Sequence, residues 1–167
     1  LEGVRIEMDG VGKAPRDVVL PVQPLTSTVS LEVLNVENLK YVSAVGASLS
    51  GLSGSLFPGS GTLSAVRSTV PFAADSDGVS RITGSMQIFG LSANADTART
   101  LTLYVILADG SKHYFRFDVS DRVNNAPDKR HIRIVIDKLS LPKPIVNGGG
   151  FHPSVDEWDS EEHTLRL

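Results

Sequence analysis

The sequence contains no cysteine. A disulfide framework, a thiolate nucleophile and cysteine-ligated zinc are therefore excluded, while a reducing compartment and an exported cysteine-poor protein fit equally well. Neither charge sign is in large excess. With 16 Lys and Arg against 19 Asp and Glu, the formal net charge is −3, and no basic face exists to track a phosphate backbone, so nucleic acid is excluded as a partner. Long apolar runs are missing too: the longest, Leu103 to Ala108, is far too short to span a bilayer. Helix signals are nearly absent. One turn begun at Ser120 or Asp121, ahead of the loop Asn124-Asn125-Ala126-Pro127, is all that the capping pattern supports.

What is present is enough for one packed core. The 167 residues, 41% of them apolar and 21% charged, suit one domain and are too few for two of average size. Apolar residues recur at period two, the spacing of a pleated surface with one face buried. From Arg99 to Ser120, Leu101, Leu103, Val105 and Leu107 alternate inward, Asp109-Gly110 turns, and His113, Phe115, Phe117 and Val119 alternate back. Asp-Gly accepts the positive φ that a tight hairpin needs. Arg130 to Leu139 repeats the pattern with Ile132, Ile134 and Ile136 on one face.

Further strands are predicted at Val4 to Met8, Asp17 to Val22, Thr28 to Val36, Lys40 to Leu49, Val66 to Phe72 and Ser80 to Phe89. Short strands at this spacing predict an all-β fold, an antiparallel β-sandwich of about seven strands. Its core is drawn from Leu101, Leu103, Val105, Leu107, Phe115, Phe117, Ile132, Ile134 and Ile136. Between Gly46 and Ser64 stand five Gly and six Ser, a composition that predicts an irregular segment. Pro21-Val22-Gln23-Pro24 reads as an extended connector, dividing 1–25, the remnant of a preceding domain or a linker, from the sandwich at 26–167. The chain opens on Leu1 with no charged segment ahead of an apolar one, which predicts a processed or trimmed piece; any export signal would lie upstream.

Residues of catalytic type are common, but their spacings are those of loops and strands. Gly46-Ala-Ser48-Leu-Ser50 and Gly51-Leu-Ser53-Gly54-Ser55 each lack the last glycine of a nucleophile elbow. Gly59-Ser60-Gly61 lacks the lysine of a phosphate loop. His113, His131, His152 and His163 have no metal-ligand spacing, and the inward register of His113 predicts a buried neutral imidazole. Asp75-Ser76-Asp77-Gly78 begins like a calcium loop but lacks the later carboxylates, so it reads as a polar turn with Asp75 and Asp77 as weak binding candidates. Five carboxylates from Asp156 to Glu162 surround the only tryptophan, Trp158. A solvated acidic turn with Trp158 on the edge of the core is the plain reading, and stacking on a sugar is the alternative. No motif calls for a catalytic residue, a metal or a cofactor.

Asn147-Gly148-Gly149-Gly150-Phe151-His152-Pro153-Ser154-Val155-Asp156-Glu157-Trp158, followed by a charged terminal strand, resembles the C-terminal end of fimbrillin-like surface proteins of Bacteroidetes. Collinear matches upstream are Val29-Ser-Leu-Glu-Val33, Asn35-Val-Glu-Asn38-Leu39, Ser50-Gly51-Leu52, Ile88-Phe89-Gly90, Leu103-Tyr104-Val105 through Asp109-Gly110, and Ile134-Val135-Ile136-Asp137 before Leu141-Pro142. Together they cover residues 25 to 167.

The resemblance implies a transthyretin-like sandwich in an exported, lipid-anchored, non-enzymatic protein of the cell surface and outer membrane. Such a protein is a subunit, tip or anchor of fimbria-like adhesive fibres. Its partners would be other fimbrial subunits, met by strand pairing, and a host or bacterial surface ligand. The lipid anchor would lie upstream of this chain. A carbohydrate- or calcium-binding surface module is the alternative. The alternation of Glu161, His163, Leu165 and Leu167 against Glu162, Thr164 and Arg166 makes the C-terminal segment the candidate assembly strand.

Overall fold

A computed structural model describes residues 24–92 and 98–145, together with the backbone of 161–165. Its elements are β1 (Ser27–Glu37), a 3-10 turn (Leu39–Tyr41), β2 (Val42–Ser53), β3 (Leu56–Phe57), β4 (Thr62–Leu63), β5 (Arg67–Ser76) and β6 (Ile82–Ile88). There follow β7 (Thr100–Leu107), β8 (Lys112–Asp118), α1 (Ser120–Asn124), β9 (His131–Ser140) and β10 (Glu161–Leu165). The strands expected at Val4 to Met8 and Asp17 to Val22 lie outside the described residues.

Eight strands follow one another in the order β10-β8-β7-β2-β5-β6-β1-β9, and β3 and β4 form a separate small hairpin. The sheet becomes a sandwich because β5 belongs to both layers. Arg67 to Ala73 pair with β2, whereas Ala74 to Ser76 pair with β6. The crossing needs a close approach: a Cβ on Gly84 would stand 2.9 Å from the Phe72 ring and 3.0 Å from the Ala73 carbonyl oxygen. Only glycine fits there without displacing the corner.

Alternation in the sequence translates directly into burial. Leu101, Leu103, Val105, Leu107, Phe115, Phe117, Ile132, Ile134 and Ile136 are all buried in one cluster, joined by Val29, Leu31 and Val33 of β1 and by Ile82, Met86 and Ile88 of β6. The β7–β8 turn closes as its residues require. Gly110 takes φ 84, its N–H bonds the Leu107 carbonyl at 2.9 Å, and the Leu107 N–H bonds the Ser111 carbonyl at 2.9 Å. Only Gly110 has positive φ, so this is a three-residue loop with an αL closing residue. The single helical turn α1 starts at Ser120 as expected and buries Val123.

Two expectations need correction. The segment from Gly46 to Ser64 is ordered: β2 runs unbroken to Ser53, and Leu56, Phe57, Thr62 and Leu63 form the β3–β4 hairpin. Glycine and serine are poor strand formers, but β2 is central, with β7 on one edge and β5 on the other. Ladders on both edges satisfy its backbone while Ala47, Leu49 and Leu52 anchor it in the core, and tertiary pairing overrides intrinsic preference. Second, the sheet is not purely antiparallel: β9 runs parallel to β1 and β10 parallel to β8. Both pairs join strands far apart in the chain, where a long connection permits the parallel arrangement that a hairpin forbids.

Candidate interaction edges and polar sites

The sheet order leaves β9 at one end and β10 at the other, each with a single strand partner among the described residues. An edge strand presents backbone donors and acceptors to any extended chain that can align with it. Of the candidate assembly strand, Glu161, His163 and Leu165 fall in β10, with backbones opposite His113, Phe115 and Phe117 of β8. Leu167 lies outside the described residues. The C-terminal segment is thus a short parallel edge of its own sandwich.

On β9 the exposed side chains include the charged Arg133, Asp137 and Lys138, and charges on an edge are a common guard against unwanted strand addition. Glu32 of β1 is buried and its carboxylate accepts from Arg133 of β9 and from Arg81 beside β6, tying three strands together on the outer face. At the start of β9, His131 Nδ1 and Asp128 Oδ2 stand 2.8 Å apart. This contact, with the Arg130 N–H next, holds the Asp128 carboxyl below its ordinary pKa.

Near the other end of β9 the ladder breaks on both strands at once. Leu34 pairs with Asp137 and Val36 with Leu139, skipping Asn35 at φ 52 and Lys138 at φ 65. Asn35 Nδ2 donates to Asp137 Oδ1 at 2.6 Å across the break. Asn35, Glu37, Ser80, Lys138 and Ser140 line an open depression of about 570 Å³ there. The left-handed tolerance of asparagine makes the Asn35 half of this irregularity readable in the sequence; nothing marks Lys138.

The remaining candidates resolve into local hydrogen bonding. Asp77 Oδ1 accepts from the N–H groups of Val79, Ser80 and Arg81 at 2.8, 2.9 and 2.9 Å, and these bonds, Arg81 foremost, lower its pKa. The carboxylate closes the turn into β6, which is the polar-turn reading. Asp75 is exposed on β5. Among the described residues no three His, Asp or Glu side chains gather into a metal-sized group. Trp158 and His152, with the Asn147 to Trp158 motif, lie outside the described residues.

Around the β7–β8 turn the structure gathers residue types that sequence spacing did not join. Ser111 Oγ donates to Asp109 Oδ1 at 2.6 Å, and the His113 Nε2 lies 3.2 Å from the same hydroxyl. His113 is buried, as its register predicts, and its Nδ1 has no hydrogen-bond partner among the described residues. The order is Asp–Ser–His, with the serine proton directed at the carboxylate. General-base activation needs the histidine between the other two, so this array fixes the turn and does not prepare a nucleophile. Asp109 is held below its ordinary pKa by Ser111, first through the hydroxyl and then through the N–H.

Arg99 was missed altogether. It is 3% exposed, with Nε donating to Asn124 Oδ1 at 2.7 Å, one terminal nitrogen to the Gly51 carbonyl and the other to the Ser92 carbonyl at 3.3 Å. Burial lowers the guanidinium pKa from its ordinary value. The residue laces together Gly51, where the pairing of β2 with β5 shifts register between Leu49 and Leu52, the start of the β6–β7 connection at Ser92, and α1. No local pattern announces it, because its acceptors come from three separate segments, 48, 25 and 7 residues away.

No family model matches the sequence, and no curated protein matches it. Among solved structures, a candidate adhesin from Bacteroides ovatus superposes with a TM-score of 0.52 at 19% identity, covering 72% of this chain and 50% of its own. The chain has the fold of that adhesin. The fimbrial anchor protein Mfa2 from Porphyromonas gingivalis aligns with a TM-score of 0.43 at 19% identity, over 66% of this chain and 39% of its own. This chain therefore spans about half the length of the Bacteroides protein. A Bacteroides adhesin fold agrees with the sequence resemblance to fimbrillin-like proteins of Bacteroidetes.

Proposed function

We propose that this chain is part of a non-enzymatic cell-surface protein, a structural or adhesive component of fimbria-like fibres. In this reading residues 26–167 are the sandwich domain and 1–25 a linker or remnant of a preceding one. The protein is exported and held at the outer membrane by a lipid anchor upstream of this sequence. The observation that carries the reading is the shared fold with the Bacteroides adhesin, supported by a sandwich whose edge strand β10 has one strand partner among the described residues. Neighbouring subunits meet at this edge, main-chain bonds giving affinity and alternating side chains giving specificity.

The edge strand β10 is five residues long and pairs on one side, so its ladder is short enough to exchange between subunits. Deleting 159–167 tests this. The truncated domain should melt lower and associate as concentration rises, because β8 becomes an open edge. A truncated domain that stays monomeric with an unchanged melting temperature refutes the assembly role of the segment.

A further inference from the structure

Where the β1–β9 ladder breaks, the chain leaves a depression of about 570 Å³. Pockets that hold small molecules measure about 300–1,000 Å³. The rim is formed by Asn35 and Glu37 of β1, Ser80 ahead of β6, and Lys138 and Ser140 of β9, with the buried Val36 and Leu139 completing the wall. Every rim side chain can hydrogen-bond. Contacts across 102 or 103 residues of sequence fix the walls: Asn35 Nδ2 donates to Asp137 Oδ1 at 2.6 Å, Ser140 Oγ to Glu37 Oε2 at 2.8 Å, and Asn38 Nδ2 to the Leu141 carbonyl at 2.7 Å. The Val36 N–H bonds the Ser80 carbonyl at 2.9 Å. A depression braced in this way is shaped before any ligand arrives.

Lys138 is exposed and holds φ 65, a conformation that glycine and asparagine accept and lysine adopts under strain. Strain of this kind persists only where the surrounding structure imposes it, and it clusters at ligand sites. Among the described residues the Lys138 ammonium has no ion-pair partner.

We propose that this depression binds a neutral saccharide. Lys138 and Glu37 are the charged residues of the lining, so its formal charge is balanced. A carboxylate or phosphate ligand would meet Glu37, and an amine would meet Lys138, at a cost in either case. The lining offers a donor-only ammonium, an acceptor-only carboxylate, and an amide and two hydroxyls that do both. Neighbouring sugar hydroxyls, each a donor and an acceptor, match that set. The depression lies against β9, at the opposite end of the sheet order from β10, so the proposal goes beyond the assembly reading and does not depend on it.

Backbone amide NMR of the full 167-residue chain provides the test. Titration with glucose, galactose, mannose and N-acetylglucosamine should shift the amides of 35–37, 80 and 138–140 saturably with at least one sugar. Glucuronate and alanine should bind there more weakly. Lys138→Gly should weaken the sugar by about tenfold, the loss of one charge-assisted hydrogen bond, with Tm no lower than the parent's because glycine accepts positive φ. Glu37→Gln should weaken it as well. No saturable shift with any of the four sugars overturns the proposal. So does tighter binding of glucuronate or alanine at the same amides, or a Lys138→Gly variant that binds as the parent does. Deleting 159–167 should leave the sugar-induced shifts unchanged, so failure of strand-mediated assembly and failure of sugar binding are read separately.

Discussion

Replacing Arg99 by alanine or methionine is the sharpest test of how the two layers are laced together. The substitution removes three side-chain hydrogen bonds, to Asn124 Oδ1, the Gly51 carbonyl and the Ser92 carbonyl. It leaves these acceptors in an environment where Arg99 itself is 3% exposed. Hydrogen bonds to charged groups contribute about 1.5–3 kcal/mol each. The contact to Ser92 is long at 3.3 Å and contributes least. Relief of the buried guanidinium's desolvation offsets part of the loss.

The net cost should then be about 3–5 kcal/mol, a large share of the stability of a typical domain. For a chain of this size that corresponds to a fall in Tm of about 10 °C. Methionine restores the packing volume but no donor, so it should recover little. Lysine keeps the charge but loses the planar fork and should fall between the two. Thermal unfolding followed by circular dichroism reads the shift. A methionine variant within about 2 °C of the parent, less than the shift per kcal/mol, would show that the guanidinium bonds contribute nothing net.

Phe117 is 0% exposed, so Phe117→Ala should cost about 3–5 kcal/mol in denaturant unfolding through the cavity it opens; a neutral result contradicts the inward register of β8. Gly84→Val should destabilise by about 1–3 kcal/mol, because its side chain meets the Phe72 ring and the Ala73 carbonyl, and shortening Phe72 to leucine in the same chain should recover part of it. Asp109, Asp118 and Asp128 all have folded-state pKa values lowered by hydrogen bonds, chiefly from Ser111, Ser120 and His131. Their contribution is present above the unfolded carboxyl pKa of 3.8 and is lost as pH falls through the lower folded values. Melting temperature should therefore fall below about pH 4, modestly because all three carboxyls are exposed and screened by solvent, and Asp109→Asn with Asp118→Asn should flatten that fall.

The strands that could be read from the sequence are those whose burial is local and periodic. In β7, β8 and β9 as far as Ile136 every second residue enters the core, so period-two alternation marked the elements and their inward faces, and Asp109-Gly110 the turn between two of them, before any contact was known. Local reasoning also located α1 and read Asp75 to Gly78 as a polar turn, since both depend on groups within a few positions.

Tertiary structure decided the rest because the deciding partners are far apart in sequence. A Gly- and Ser-rich stretch becomes the central strand β2 only through its two flanking strands. Likewise, β9 lies parallel to β1 across 102 residues of separation, as the Asn35 and Asp137 contact illustrates. Arg99 finds acceptors 48, 7 and 25 residues away. The passage of β5 from one layer to the other, which turns a row of strands into a sandwich, depends on Phe72 meeting the empty face of Gly84. Periodicity reports which face of a strand is apolar; it carries no information about which strand will lie beside it.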